Sequence, residues 1–315
     1  MGILAIDFGG TRIRAGWFTP DLALVRRSET LSRVNEAPAA VIERLLNTAR
    51  QVLPSPDDPH FQAGISAIGL SAPGPLDAQA GIIHHAETLP GWQQVPLARI
   101  ISEAFGDVPV AMNNDANLAA LAEYHFGAAR GADPAIYLTI STGIGGGAVI
   151  NGQLFTGWRR LAIEPGHMRF TLPDGRVCRL EELASGTGIG RLAQETLVAS
   201  SQPSSLRSAE VIDGKTVGEA AQQGDALALQ VVQQAGYWLG LGLANLAHLF
   251  NPQAIVLGGS VVQLGDLILR PARHAMEQNL LDPRFDDPAL IRIAQLGDDV
   301  CLVGAAFYAQ QHLTR

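Results

Sequence analysis

Hydrophobic residues along this chain occur in short continuous runs, and most of these runs end at a cluster of glycine or polar residues. Runs of this length bounded by turn residues predict buried β-strands, and they cover residues 2–8, 65–70, 108–112, 136–140 and 254–257. Elsewhere apolar residues recur every three or four positions, which predicts helices over residues 36–53, 97–105, 116–126 and 225–250. The alternation of strands and helices predicts an α/β fold.

Two glycine-rich turns stand out in this pattern because each lies between two predicted strands. One has the sequence DFGGT at residues 7–11, and the other has TGIGGG at residues 142–147. Glycine lets a backbone adopt positive φ and approach a ligand closely, and successive amide N–H groups in such a turn attract anions. The repeated strand–turn–strand unit indicates two related halves. Two anion-binding turns indicate a polyphosphate ligand and a nucleotide-dependent phosphotransferase.

The composition is that of a globular protein with room for two domains: 315 residues, 47% of them hydrophobic and 17% charged. A net charge of −8 argues against nucleic acid as the main partner, because phosphate backbones require clustered Lys and Arg. The two cysteines, Cys178 and Cys301, do not form a disulfide framework, which favours a reducing compartment. No secretory leader or membrane span is predicted, so we expect a cytoplasmic protein.

Two other nucleotide-binding patterns fit this sequence less well. Residues 143–148 nearly match the dinucleotide-binding fingerprint, but that fingerprint requires a following helix, and here Asn151 and Gly152 predict a hairpin. The sequence GKT at residues 214–216 resembles the end of a P-loop. The glycine that a P-loop needs earlier is replaced by Ala209, and the spacing of Thr216 predicts a helix cap instead.

Seven short motifs, in order and nearly from end to end, resemble those of the ROK sugar kinases. They are DFGGT at residues 7–11, LPGW at 89–92, NDAN at 114–117, TGIGGG at 142–147, EPGH at 164–167, EELASG at 181–186 and LGG at 257–259. The resemblance implies a two-domain α/β actin-like ATPase (ribonuclease H-like) fold with mixed central sheets and an interdomain cleft. It also implies a smaller domain of residues 1–112 plus 303–315 and a larger domain of residues 113–302.

The resemblance also implies roles for individual residues. Asp115 would be the general base, although a helix cap is the alternative, and Asp7 would hold Mg²⁺ through water, although a turn-forming role is the alternative. The sugar-binding residues would be Asn114, Asp115, Glu164, His167 and Glu181. The cofactor ATP would be bound by Gly9, Gly10, Thr11, Thr142 and Gly143 at its phosphates and by Gly258 and Gly259 at its adenosine.

The sequence departs from the ROK pattern in one respect that affects a metal. Family members usually carry three cysteines after the EPGH-like motif, which bind a structural zinc together with the histidine, whereas this chain has only Cys178 there. One thiolate and the imidazole of His167 cannot complete a closed four-ligand site, so we expect no zinc. The segment before Glu181 is also shortened, which leaves Glu182 as an alternative sugar ligand.

Two smaller departures concern single residues. Thr88 stands where the family usually has Asn, and Arg12 replaces the common Lys.

We therefore expect a homodimeric, ATP- and Mg²⁺-dependent hexose kinase of carbohydrate metabolism that phosphorylates the 6-OH of glucose. Fructose, mannose or an N-acetylhexosamine are alternative acceptors, and polyphosphate is an alternative donor. A catalytically silent sugar-binding regulator is a further alternative. Repressors of the family carry a helix-turn-helix segment before the first phosphate motif, and the early position of DFGGT argues against that reading.

Overall fold

The computed structural model describes residues 1–55, 58, 64–84 and 89–313. The chain forms two compact units, of which the first comprises Met1–Phe126, Thr156–Leu161 and Leu296–Arg315. The second comprises Gly127–Phe155 and Ala162–Gln295. The domain limits expected from the sequence, residues 1–112 plus 303–315 and residues 113–302, stay a prediction.

The first unit is built around a mixed β-sheet. Its strands are β1 (Gly2–Phe8), β2 (Arg12–Phe18), β3 (Leu24–Leu31), β4 (Ile65–Ala72) and β7 (Val110–Asn114), and β5 (Leu76–Asp77) pairs separately with β6 (Ile82–Ile83). The strand order is β3-β2-β1-β4-β7, in which β1, β4 and β7 are parallel and β2 and β3 are antiparallel. Its helices are α1 (Pro38–Arg50), α2 (Leu97–Ala104), α3 (Asp115–Phe126) and α9 (Val300–Leu313).

The second unit repeats this topology. Its strands are β8 (Ala135–Ile140), β9 (Ile144–Ile150), β10 (Gln153–Leu154), β13 (Ala254–Gly258) and β14 (Ile291–Ile293), and β11 (Arg169–Thr171) pairs separately with β12 (Val177–Arg179). The order β10-β9-β8-β13-β14 has the same parallel and antiparallel pairs as the first sheet, so the prediction of two related halves is confirmed. Its helices are α4 (Leu180–Ala184), α5 (Gly186–Ala199), α6 (Gly214–Gln222), α7 (Ala226–Phe250) and α8 (Asp266–Glu277).

Small residues let the helices pack closely in both units. A Cβ atom on Gly69 of β4 would lie 2.0 Å from the carbonyl oxygen of Ala305, so α9 rests directly on the central sheet. In the second unit, a Cβ atom on Gly240 of α7 would lie 2.2 Å from the carbonyl oxygen of Ala272 in α8. The absence of a side chain at these two glycines therefore lets the backbones of neighbouring elements approach closely.

Several predictions of element boundaries were wrong, and strand β7 covers Val110–Asn114 instead of residues 108–112. Helix α6 begins at Gly214 and not at Thr216, because the carboxylate of Asp213 accepts the backbone N–H of Thr216 at 2.8 Å and caps the helix. Helix α1 begins at Pro38, a residue favoured at the first helical position, and not at residue 36. Helix α9 begins at Val300, three residues before the segment 303–315 that the sequence assigns to the smaller domain. Within the described ranges, we find no helix with the length and hydropathy that a bilayer crossing requires.

Candidate active site

The parallel strands of the first unit bring the predicted catalytic residues to one edge of the sheet. Asp7 of β1 pairs with Ser71 of β4, and Ser71 pairs with Asn113 of β7. Because these strands are parallel, their carboxyl ends meet at the same edge. The first glycine turn follows β1 there, and Asn114 and Asp115 stand where β7 passes into α3. The predicted phosphate turn, magnesium residue and general base therefore lie at one edge.

Asp7 is buried, with 5% of its surface exposed, and both of its carboxylate oxygens are hydrogen-bonded. Oδ1 accepts the hydroxyl of Ser71 at 2.8 Å, and Oδ2 accepts Nη1 of Arg14 at 3.2 Å. Burial raises the pKa of Asp7, and the hydrogen bond from Ser71 and the charge of Arg14 oppose that rise. Sequence reasoning missed Arg14, whose guanidinium also binds Glu29 of β3 at 3.0 Å.

A single hard carboxylate is a suitable partner for Mg²⁺ that keeps most of its waters. Each oxygen of Asp7 accepts one hydrogen bond, from Ser71 or from Arg14, and retains a lone pair for a metal-bound water. The donor set therefore fits an outer-shell magnesium site.

The first glycine turn is fixed from the neighbouring strand. The backbone N–H of Gly9 donates to the carbonyl of Arg12 at 2.9 Å, and the hydroxyl of Ser32 donates to the carbonyl of Gly9 at 2.7 Å. The backbone N–H of Ser32 donates to the carbonyl of Thr11 at 2.9 Å. These bonds engage the N–H of Gly9 and the carbonyl groups of Gly9 and Thr11, while Gly10 and Thr11 stay exposed. Arg12, which replaces the usual Lys, pairs with Glu29.

Asn114, and not Asp115, caps helix α3. Its Oδ1 accepts the backbone N–H of Ala116 at 3.0 Å and of Asn117 at 3.4 Å. Asp115 is the first helical residue, and its Oδ1 accepts the N–H of Ala116 at 2.8 Å. The alternative role of Asp115 as the helix cap was therefore wrong. Asn113, which the sequence did not single out, supports the motif because its Oδ1 accepts the side-chain amide of Asn117 at 3.1 Å.

Cys301, at the start of α9, lies beside this catalytic edge. Its thiol donates to the carbonyl oxygen of Asp115 at an Sγ···O distance of 3.7 Å. Burial raises the pKa of the Cys301 thiol well above its usual range, and the carboxylates of Asp7 and Asp115 raise it further. Both cysteines are free thiols, as predicted.

The second unit places its own turn and glycine pair at an equivalent edge. Thr139 of β8 pairs with Gly258 of the parallel strand β13, so the turn containing Thr142 and Gly143 lies near Gly259. Gly259 has a φ of +94°, and a Cβ atom there would lie 2.3 Å from the carbonyl oxygen of Ile140. A tight turn therefore requires glycine at this position whatever the ligand.

A cavity of about 550 Å³ opens beside this edge. Thr142 lines it, together with the first residues of α5 and α6 and the turn after Gly259. The two helices begin close together, because a Cβ atom on Gly214 would lie 2.6 Å from the Cα of Gly186. The hydroxyl of Thr187 donates to the carbonyl of Thr142 at 2.8 Å, which ties α5 to the glycine turn. Helix N-termini favour anionic groups, so the cavity suits a phosphorylated ligand.

Lys215 lines the same cavity, and sequence reasoning missed it. It is the only lysine among the 315 residues, and its side chain is 82% exposed. Its Nζ lies 3.8 Å from Oε1 of Glu219, one helical turn away. The pattern at residues 214–216 is an incomplete P-loop and predicts no phosphate site, but the fact that Lys215 is the only lysine could have marked it as a candidate nucleotide-binding residue. Gly258 and Gly259 are not among the residues that line the cavity.

Glu181 and Glu182 have different partners in the structure. Oε2 of Glu181 accepts the backbone N–H of Ile144, which lies within the second glycine turn, at 2.8 Å. Oε2 of Glu182 accepts the backbone N–H of Arg179 at 2.7 Å and so caps helix α4. Glu181 therefore lies at the turn, while Glu182 stabilises the start of its own helix.

The EPGH segment is packed tightly against β9. A Cβ atom on Gly166 would lie 2.2 Å from the carbonyl oxygen of Ile144, and Ile163 adopts a φ of +68°, a strained conformation for a β-branched residue. Burial raises the pKa of the Glu164 carboxyl, with the nearby charge of Glu181 adding to the rise and His167 opposing it. The charges of His167 and Glu181 therefore act on the Glu164 carboxyl in opposite directions.

Comparisons with known proteins agree with this arrangement. The model of the ROK family matches residues 3–312, which is nearly the whole chain. The chain belongs to the ROK family. It is 34% identical to a glucokinase of Halalkalibacterium halodurans, over 98% of this chain and 94% of that protein. It is also 34% identical to the bifunctional enzyme NanE/NanK of Brucella melitensis, over 99% of this chain and 54% of that protein.

Among solved structures, a ROK family glucokinase from Streptomyces griseus in complex with glucose and AMPPNP superposes with a TM-score of 0.81. It is 31% identical, and the match covers 99% of this chain and 100% of that chain. The expected actin-like ATPase fold with mixed sheets is thereby confirmed.

The segment where the resemblance implies a zinc loop forms a β-hairpin in this chain. Residues 169–179 form the hairpin of β11 and β12, and Cys178 points into the hydrophobic core with 7% of its surface exposed. In the described part of the chain, no three His, Cys, Asp or Glu residues are grouped as metal ligands would be. The donors present therefore do not fit a closed zinc site, and the expectation of a zinc-free protein stays a prediction. Thr88 lies outside the described residues.

Proposed function

We propose that this ROK protein is an ATP-dependent hexose kinase that phosphorylates the 6-OH of glucose. The observation that carries the proposal is the register of Asp7, Ser71 and Asn113, which brings Asp115 to the same sheet edge as the first glycine turn. The similarity to a glucokinase and to a glucose- and AMPPNP-bound structure supports glucose as acceptor and ATP as donor.

In this proposal Asp115 is the general base. It accepts the proton of the sugar hydroxyl as the oxygen attacks the terminal phosphorus of ATP and the bond to the leaving ADP breaks. Such a base contributes on the order of 10²–10⁴-fold to the rate. Capping of α3 by Asn114 supports this role, because the helix does not depend on Asp115 for its cap. Phosphoryl transfer otherwise depends on positioning and on neutralisation of charge.

The acceptor sugar is assigned to Asn114, Asp115, Glu164, His167 and Glu181. Carboxylates and an imidazole suit a ligand with several hydroxyl groups, because each can accept or share hydrogen bonds. The hydrogen bond between Glu181 and Ile144 favours Glu181 over Glu182 for this role, since Glu182 is engaged as a helix cap.

The donor is assigned to the two glycine turns and the second-unit cavity. Gly9, Gly10, Thr11, Thr142 and Gly143 would bind phosphates. Gly258 and Gly259, which precede the cavity-lining residues Ser260 and Val261, would admit the adenosine. Lys215 adds a positive charge at the cavity. Mg²⁺, when bound near Asp7 through water, would neutralise charge on the phosphates.

A second candidate is kinase activity on a different sugar, which the similarity to NanE/NanK supports. A coupled assay of ADP release with glucose, fructose, mannose and N-acetylhexosamines, run with ATP and with polyphosphate as donor, separates these candidates. We expect the highest kcat/KM with glucose and ATP. Turnover of no hexose would contradict the kinase proposal and favour a sugar-binding regulator.

The expected homodimer rests on the resemblance alone, and the expected cytoplasmic location rests on the sequence features given above. Light scattering on the purified protein tests the first, and cell fractionation tests the second.

A further inference from the structure

The hairpin of β11 and β12 joins two of the residues assigned to the sugar. His167 stands two residues before β11, and Glu181 follows β12 after one intervening residue. The pairing continues past the strands, because the backbone N–H of Leu180 donates to the carbonyl of Met168 at 2.8 Å. His167 and Glu181 are therefore each the chain neighbour of a residue in this cross-strand hydrogen-bonded pair.

The hairpin rests on helix α7 through its apolar face. Phe170 packs edge-on against Trp238, with ring centroids 5.8 Å apart. Leu180 is fully buried, and Cys178, which pairs with Phe170, is buried beside it. On the opposite face of the strands, Arg169, Thr171 and Val177 are exposed, so alternate residues point into the core as in a half-buried antiparallel ladder.

Gly242, one turn after Trp238 on the same helix, provides the space for this contact. A Cβ atom there would lie 2.7 Å from Cδ2 of Leu180 and 3.3 Å from Cε of Met168. Glycine in a helix interior is unfavourable, so a close approach accounts for its presence at this position. Trp238 and Gly242 thus form the part of the α7 surface on which Phe170, Met168 and Leu180 pack.

We propose that the hairpin of β11 and β12, which packs on Trp238 and Gly242 of α7, holds His167 and Glu181 in place for sugar binding without a metal. Phe170 and Gly242 are positioning residues, since they act through the hairpin and not on the sugar. The inference rests on the proposed function, because it presupposes that His167 and Glu181 bind the acceptor.

The test compares Phe170→Ala, Gly242→Ala and the control Phe285→Ala by calorimetric binding of glucose and by the KM values for glucose and ATP. Phe285 is a matched control because it is partly buried and packs edge-on against His248 of the same helix. We expect Phe170→Ala to weaken glucose binding about tenfold, through loss of the aromatic contact, with the KM for ATP within twofold of wild type. Phe170→Leu should recover most of the affinity for glucose, because leucine restores an apolar side chain that packs on Trp238.

Gly242→Ala distinguishes positioning from a loss of stability. Alanine favours the helix, so the variant should fold, yet its Cβ displaces Leu180 and should weaken glucose binding about fivefold. Phe285→Ala should bind glucose as wild type does, and treatment of the wild type with a zinc chelator should leave glucose binding unchanged.

Different outcomes would overturn the inference alone, assign the role to a metal, or overturn the proposed function as well. Wild-type affinity for glucose in both Phe170→Ala and Gly242→Ala would contradict it, as would equal weakening of glucose and ATP binding. Loss of glucose affinity on chelation, with about one zinc per chain recovered, would assign the role to a metal. If the wild type bound no hexose, the proposed function would fail and this inference with it, whereas normal binding by the variants overturns the inference alone.

Discussion

The single lysine of this chain, Lys215, allows the assignment of the cavity to ATP binding to be tested with one substitution. Lys215 lines the cavity beside the second glycine turn, and with 82% of its side chain exposed it would meet the nucleotide in a largely aqueous setting. Two unit charges about 4 Å apart in water interact by about 1 kcal/mol. Since a factor of ten corresponds to about 1.4 kcal/mol, Lys215→Ala should raise the KM for ATP about fivefold. The KM for glucose and kcat should change by less than twofold.

A matched control separates this effect from a general loss of surface charge. Lys215 and Glu219 form an exposed ion pair one helical turn apart, and Arg99 and Glu103 form a similar pair on α2, with N···O distances of 3.8 Å and 3.6 Å. Exposed pairs of this kind contribute about 0–1 kcal/mol to the free energy of unfolding, so both alanine variants should remain folded. Arg99→Ala should leave the KM for ATP unchanged, and Lys215→Arg should retain most of the wild-type affinity.

Amine-specific acylation provides a readout that does not depend on turnover. The protein has one side-chain amine and one N-terminal amine, so peptide mass spectrometry can follow each separately. We expect ATP to protect Lys215 from acylation while the N-terminus reacts at an unchanged rate, and glucose alone to protect neither. A KM for ATP within twofold of wild type in Lys215→Ala, together with no protection by ATP, would refute the reasoning.

Three further predictions concern the glutamates, the acid stability and the catalytic-edge thiol. Glu181→Gln should raise the KM for glucose in steady-state assays far more than Glu182→Gln, which should mainly lower the melting temperature; the reverse pattern would assign the sugar to Glu182. Burial would raise the pKa of Asp225, but hydrogen bonds from Ala228 and Ser205 outweigh it and lower the pKa to about 2. Because Asp225 is partly exposed to solvent, its lowered pKa contributes no more than about 1 kcal/mol to the free energy of unfolding above pH 4, and this contribution is lost as the pH falls from about 4 to about 2. Urea titrations should find Asp225→Asn less stable than wild type at pH 7, with the difference shrinking below pH 4, and a pH-independent difference would contradict the assignment. Cys301 should react with iodoacetamide at pH 8 more slowly than a model thiol, because burial and two carboxylates raise its pKa, and a rate equal to the model thiol would count against this environment.

The sequence predicted the strands, the two glycine turns and the helix after Asp115, because each depends on a local pattern of residues. It could not distinguish Glu181 from Glu182, because the deciding partner of Glu181 is the N–H of Ile144, 37 residues away. Lys215 was overlooked for a related reason. Its local pattern is that of a helix start, and only the packing of Gly214 on Gly186 brings it to a cavity.

The helix cap at Asn114 shows a different limit. Asn114 and Asp115 both have side chains suited to capping, and the sequence favoured Asp115. The choice depends on where β7 ends and α3 begins, and that boundary is set by the pairing of Ala72 with Asn114 in the sheet. The support of the sugar segment by Phe170 and Trp238 likewise depends on residues far apart in the chain.

The central claim is that Asp115 removes the proton from the sugar hydroxyl. The most direct test is the coupled ADP-release assay on Asp115→Asn, with calorimetric glucose binding measured on the same preparation. Asparagine keeps the size and hydrogen-bonding capacity of the side chain but cannot accept the proton, so kcat should fall on the order of 10²–10⁴-fold while the affinity for glucose changes little. A kcat within a few-fold of wild type would contradict the account.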